Sequence, residues 1–310
     1  MTTSREILLR DPHFRLPEAC GFTTTWFDLP GLRLHAATIG PQDGELVLLL
    51  HGWPEFWYSW RRQISALAAA GYRVVAPDQR GYNLSDKTPP FDIFTLAQDA
   101  ADLIAACGCE RAFVAGHDWG GMVAWSLAIL HPEKVARLAI FNVPHPALTL
   151  GGPRTAGLRQ ALKSYYIYLF QLPRFPEWLM SRNEYAFLRR LLQTTSTPGV
   201  FDRDELDEYV EAWSRPGMMS ASLGWYRALR PLLFSGRGRS LIQKVAVPTL
   251  IQWGERDVAF DVRLAAKSLD WCEQGQLIRY PSATHWIHQD LPQDVNHRLL
   301  LFFEGQFPVP

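Results

Sequence analysis

Short, strongly apolar runs alternate along this chain with segments that read as helices, and that alternation limits the possible folds more than any other feature. ELVLLLHG (45–52) is a strand ending in a turn, FWYSWRRQISALAAAG (56–71) a helix stopped by glycine, and YRVVAPD (72–78) the next strand. The order then repeats: TLAQDAADLIAACG (95–108) is helical, RAFVAGHD (111–118) a strand entering a turn, WGGMVAWSLAILHPE (119–133) a helix, and VARLAIFNVP (135–144) a strand. Strands this apolar, separated by helices, predict an α/β protein with a mostly parallel sheet covered on both faces. Reactive side chains are then expected at the carboxyl ends of the strands.

After Pro144 the alternation stops. From Pro146 to Lys244 the chain reads as helical and aromatic, with turn residues at GGPR, QLPRFPEW, TSTPGV and SRPG. Most connections run about 4–6 residues, so this stretch is expected to be an inserted helical cap (146–244) on a core of 1–145 and 245–310. The sheet pattern resumes at VPTLIQWGERD (247–257), followed by a helix near 260–271, QLIRYPSATH (276–285) and a closing helix from Gln289. TTTWFDLPGLRLHAATIG (23–40) reads as an antiparallel hairpin feeding the first core strand.

Composition excludes several classes of function. Lys and Arg together number 31, as do Asp and Glu, so the basic footprint of a nucleic-acid binder is missing. MTTSREILLRDPHFRLPEACGF (1–22) lacks a basic start followed by an apolar run, and no stretch approaches the roughly 18 apolar residues of a membrane span. A cytoplasmic protein with no membrane partner is expected. Cys20, Cys107, Cys109 and Cys272 are too sparse for a disulfide framework, and Cys107-Gly108-Cys109 has no second pair to complete a metal site. They are read as buried or incidental thiols, and no metal or cofactor is expected.

GHDWGG (116–121) carries the first chemistry. It has the spacing of Gly-x-Ser-x-Gly with Asp118 in the serine position, between a strand and a helix, as a nucleophile elbow requires. The helix dipole there favours an ionised carboxylate. An aspartate in this place could equally be a helix N-cap, so its partners must decide. Asp257 follows the strand of WGERD and His285 follows the strand ending in PSATHW. Nucleophile, acid and histidine thus stand in the chain order of a hydrolase triad, each at a strand end. His51, His117, His131, His145, His288 and His297 compete, but only His285 falls in the loop after the last strand. HGWP (51–54) supplies the third piece: the backbone N–H groups of Trp53 and Trp119 would form an oxyanion hole, although Gly52 and Pro54 also suit a plain turn.

These motifs together resemble the epoxide hydrolase and dehalogenase group of the α/β-hydrolase fold family over nearly the whole chain. HGWP resembles the oxyanion loop, RGYNLSD (80–86) the Gly-x-small-x-Ser turn, GHDWGG the aspartate elbow and NVPHP (142–146) the entry to the cap. The resemblance implies a mostly parallel, eight-stranded sheet flanked by helices with a helical cap inserted. It also assigns two cap tyrosines. SYYIYLFQLP (164–173), anchored on Phe170-Gln171-x-Pro173, gives Tyr166 rather than its neighbours Tyr165 or Tyr168, and GWYRALR (224–230) gives Tyr226.

The assignment agrees with the chemistry. Epoxide opening produces an alkoxide, and a phenol of pKa about 10 stays protonated at neutral pH to receive it. An aspartate nucleophile also suits a substrate without a carbonyl, because the ester formed carries the enzyme's own carbonyl for water to attack. The expected partners are therefore a small apolar epoxide and water. Haloalkane or haloacetate dehalogenation would use the same triad, but Trp53 departs from the expected asparagine of the first and Trp119 from the carboxylate-binding arginine of the second. A non-catalytic ligand-binding protein would not need all of Asp118, Asp257, His285, Tyr166 and Tyr226. Trp178, Trp213 and Trp225 are expected either to line an apolar pocket or to pack the cap core.

Overall fold

The computed structural model describes residues 23–150 and 153–306; Cys20, the rest of the N-terminal segment and part of the GGPR turn lie outside them. Eight strands form one sheet, β1 (Thr23–Leu29), β2 (Leu32–Ile39), β3 (Leu46–Leu50), β4 (Arg73–Pro77), β5 (Ala112–His117), β6 (Val135–Phe141), β7 (Thr249–Gly254) and β8 (Gly275–Tyr280). Their spatial order is β1-β2-β4-β3-β5-β6-β7-β8, and from β4 to β8 all neighbours run parallel. The expected hairpin is present: Leu29 pairs with Leu32 around Pro30-Gly31, where Gly31 takes the left-handed φ of +70° that the tight turn needs.

Every residue of β3, LVLLL, is buried, because helices cover both faces. Helix α1 (Arg61–Ala69) lies on one face, and α2 (Ile93–Ala106) packs beside α3 (Asp118–Leu130) in the other hydrophobic cluster. The helix expected from residue 56 begins later, after a 3-10 turn at Trp57–Trp60. The intervening stretch 146–244 holds no strand among its described residues. It contains α4 (Pro146–Leu150), α5 (Pro153–Ala156), α6 (Leu158–Lys163), α7 (Tyr165–Phe170), α8 (Phe175–Thr195, kinked near Asn183), α9 (Arg203–Ser214) and α10 (Met218–Phe234). After β7 come α11 (Arg263–Leu269) and, after β8, α12 (Ile287–Asp290) and α13 (Pro292–Phe303). The closing helix is therefore two helices. Pro292 lacks an N–H and keeps Leu291 out of helical geometry, at φ −132° and ψ 57°.

Indole side chains tie the helices of 146–244 to the core. Trp213 Nε1 donates to the Pro54 carbonyl at 2.6 Å, and Trp225 Nε1 to the Arg80 carbonyl at 3.0 Å. Both rings are buried, whereas Trp178 is 52% exposed, so the first two anchor the segment and the third faces solvent. Arg61, buried and stacked on Tyr58, holds Glu205 at 2.6 Å as a further tie to α9. Cys107 and Cys272 are buried, Cys109 is half-buried, and all three are free thiols.

Candidate active site

At the end of β5 the chain turns sharply into α3, and Asp118 sits at the turn with φ +50°. That region is costly for most residues and least so for Asn, Asp and Gly. The turn also demands glycine nearby. A Cβ on Gly120 would stand 2.1 Å from the Leu50 carbonyl oxygen, and one on Gly116 would stand 2.4 Å from the Gly120 oxygen. The Asp118 carboxylate does not cap its own helix; instead Oδ1 accepts the Trp53 backbone N–H from the loop after β3, at 2.9 Å. This removes the N-cap alternative.

The other carboxylate oxygen, Oδ2, lies 3.6 Å from His285 Nε2. The far nitrogen of that imidazole, Nδ1, donates to Asp257 Oδ2 at 3.0 Å. Asp257 is fully engaged: Asn142 Nδ2 donates to Oδ2 at 2.7 Å, and the backbone N–H groups of Ala259 and Phe260 donate to Oδ1 at 2.7 and 2.9 Å. Trp53, Asp118, Asn142, Asp257 and His285 therefore come together from the turns after β3, β5, β6, β7 and β8.

Burial alone would lower the His285 pKa, but Asp257 and then Asp118 outweigh it and raise it to about 10. Burial would likewise raise the Asp118 carboxyl, yet His285, His117 and the Trp53 N–H hold it below its ordinary value. The carboxylate is thus an anion at neutral pH, as a nucleophile must be.

Two tyrosines from the intervening helices face this cluster. Tyr166 is half-buried and Tyr226 buried, with ring centroids 6.0 Å apart. The alternatives Tyr165 and Tyr168 are 70% and 76% exposed. Burial first, then nearby acidic groups including Asp118, pushes both phenols above their ordinary value, so both remain protonated donors. Gln171 holds them in facing positions: its Nε2 donates to the carbonyls of Ile167 on α7 and Tyr226 on α10, at 3.2 and 3.0 Å. Phe170 packs between them and Trp53, with centroids 5.5 Å from Tyr166, 4.9 Å from Tyr226 and 5.1 Å from Trp53. Trp119, the second expected oxyanion residue, is buried directly after Asp118, and its ring meets Tyr226 edge to face at 5.0 Å.

Sequence reasoning passed over a buried pair beneath the site. His117 Nδ1 donates to Glu55 Oε2 at 2.8 Å and Nε2 donates to the His285 carbonyl at 2.9 Å. Glu55 Oε2 also accepts the Gly52 N–H at 3.2 Å, so one carboxylate steadies the loop of Trp53 directly and, through His117, the loop of His285. His117 held down the carboxylate against burial, and Glu55 is pulled well below its ordinary pKa. The available signal was adjacency, since Glu55 follows HGWP and His117 precedes Asp118. Glu55, His117 and His288 are also the one group among the described residues with ligand atoms close enough for a metal, all within 4.8 Å. Both nitrogens of His117 already serve as donors, which leaves it no lone pair for an ion.

Comparison with known proteins agrees with this geometry. Residues 45–291 match the family described as alpha/beta hydrolase fold. The AB hydrolase superfamily protein YfhM of Bacillus subtilis is 42% identical over 293 residues, covering 93% of this chain and 98% of the relative. Epoxide hydrolase 1 of Caenorhabditis elegans is 35% identical over 290 residues, covering 91% of this chain and 70% of the relative. Among solved structures, an epoxide hydrolase of Bacillus megaterium in complex with an inhibitor superposes with a TM-score of 0.81 at 28% identity, over 90% of this chain and 100% of that one. No helix of the described residues is long and apolar enough to cross a membrane. The sheet order, the aspartate elbow and these matches lead to one conclusion: the chain belongs to the α/β-hydrolase fold family, among relatives that include epoxide hydrolases.

Proposed function

We propose that the protein is an epoxide hydrolase that converts an epoxide to a vicinal diol through an ester on Asp118, with residues 146–244 acting as a cap over the core. Asp118 Oδ2 attacks an epoxide carbon, the carbon–oxygen bond breaks, and the departing alkoxide takes a proton from Tyr166 or Tyr226. Oδ1, held by the Trp53 N–H, remains as the ester carbonyl. The tyrosinate recovers its proton at the expense of the imidazolium of His285, which becomes a base. His285 then takes a proton from water, the hydroxide adds to the Asp118 carbonyl carbon, and the N–H groups of Trp53 and Trp119 receive the oxyanion. Collapse expels the diol and regenerates the carboxylate.

The observation that carries this reading is the pair of protonated phenols facing a carboxylate whose far oxygen is already bound in an oxyanion position. A dehalogenase would use the same triad, but a departing halide needs no proton, so the two phenols would serve no purpose in it. The test is turnover of styrene oxide to its diol, measured beside release of chloride or fluoride from haloalkanes and haloacetates. Diol formation with no halide release is expected; halide release alone, or binding without turnover, would defeat the proposal.

A further inference from the structure

The loop after β7 carries the triad acid, and four of its peptide C=O and N–H groups are held by two side chains of α6. Lys163 Nζ donates to the carbonyls of Asp257 and Phe260, at 2.5 and 3.1 Å. Gln160 straddles the same loop: its Nε2 donates to the Ala259 carbonyl at 2.9 Å and its Oε1 accepts the Asp261 N–H at 2.8 Å. Gln160 is buried, and Val258 at the tip of the loop is half exposed.

The geometry of a trans peptide gives these bonds a consequence. In one planar peptide unit the C=O and the N–H point in opposite directions. The Ala259 carbonyl and the Phe260 N–H belong to the same unit. Gln160 grips the carbonyl end, and the N–H end therefore points at Asp257 Oδ1, 2.9 Å away. The next unit is fixed at both ends, by Lys163 at the Phe260 carbonyl and by Gln160 at the Asp261 N–H. Phe260 in turn rests its ring 6.1 Å from that of His285. Gln160 Nε2 also donates to Ser164 Oγ at 2.9 Å, directly ahead of the helix that bears Tyr166.

From this we infer that Gln160 and Lys163 are positioning residues for Asp257: they aim the peptide groups that orient its carboxylate toward His285, and they join that acid to the segment carrying Tyr166. The inference rests on the epoxide hydrolase reading for its kinetic consequence and on the hydrogen bonds alone for its structural one. Ester hydrolysis needs the Asp257–His285 contact, whereas attack by Asp118 on the epoxide does not. Loss of the clamp should therefore divide the two half-reactions.

The experiment is rapid-quench intact-mass analysis of the full chain with styrene oxide, for wild type, Gln160→Leu, Lys163→Met and Lys163→Arg, together with hydrogen exchange at the Phe260 amide. In Gln160→Leu and Lys163→Met, ester formation should stay near the wild-type rate while ester hydrolysis falls roughly tenfold to a hundredfold, so the adduct accumulates. The Phe260 amide should exchange faster in both. Lys163→Arg, which keeps donors within reach of the two carbonyls, should restore hydrolysis. An equal loss in both half-reactions, or normal hydrolysis with unchanged exchange, would overturn the inference. If Gln160→Leu does not fold, Lys163→Met and Lys163→Arg decide the matter, since Lys163 is only half-buried. Should wild type fail to open the epoxide, the proposed activity falls, and exchange at Phe260 still decides whether the clamp exists.

Discussion

His285 Nε2 stands 3.6 Å from Asp118 Oδ2, beyond a hydrogen bond yet near enough that each charge alters the other. In the proposed mechanism, esterification removes the negative charge of Asp118, so the imidazole loses one of the two anions that raise its pKa to about 10. The covalent step itself thus helps convert the imidazolium into a base.

Replacing His285 by glutamine should leave attack by Asp118 intact and stop the hydrolysis that follows. Incubation with an epoxide is expected to leave the whole population carrying one covalent adduct by intact-mass analysis. A variant that turns over at the wild-type rate would remove His285 from the mechanism.

Single turnover in ¹⁸O-labelled water should leave the label on Asp118, because water attacks the ester carbonyl of the enzyme rather than the epoxide carbon. Peptide mass analysis of the elbow reads this directly. Label in the diol alone after the first turnover would mean direct attack by water.

Tyr166→Phe and Tyr226→Phe should each slow ester formation, and the double variant should lose about 10²–10⁴-fold, the usual contribution of a positioned proton donor. Each single variant should fall less, because the remaining phenol still faces the departing oxygen. Stopped-flow quenching of tryptophan fluorescence on ester formation measures this. Equal rates in the double variant and wild type would show that neither hydroxyl donates.

Stability should carry the mark of the same imidazole. The folded pKa of His285 is raised from 6.5 to about 10, so the charged form contributes stability that is fully present below about pH 6.5 and is lost as pH rises through about 10. The difference in thermal midpoint between wild type and His285→Gln is expected to shrink over that window. A difference independent of pH would show that the imidazole is not held as a cation.

Glu55→Gln should destabilise by about 3–5 kcal/mol, the usual cost of leaving one member of a buried ion pair without the other. Urea denaturation tests this. A neutral effect would mean that the Glu55–His117 contact does not hold the fold together.

Much of this candidate site could be read from the chain because each member of the proposed triad follows an apolar strand. A run such as LVLLL or TLIQWG announces its own end, and Trp53, Asp118, Asp257 and His285 each stand within five residues of such an end. The tyrosines were legible only by resemblance, since SYYIYLF offers three candidates at helical spacing and exposure alone separates them. Gln160 and Lys163 gave no signal, and Asn142 was visible only as the first residue of NVPHP, not as a partner of Asp257. Their bonds join residues 94 to 115 positions apart, and neither a period of two nor one of 3.6 reaches that far. The break at Pro292 was legible in principle, because proline at the first helical position marks a fresh start.

All of the groups proposed for cleaving the ester hang from the ends of sheet strands, whereas both proton donors for breaking the substrate's own bond hang from helices spliced between β6 and β7. The two halves of the reaction are thus encoded by separate stretches of chain. Grafting the spliced helices of another relative onto this sheet would exchange which bond is opened and which substrates are admitted, while the hydrolytic half stayed at home, provided the graft brought its own grip on the loop of Asp257.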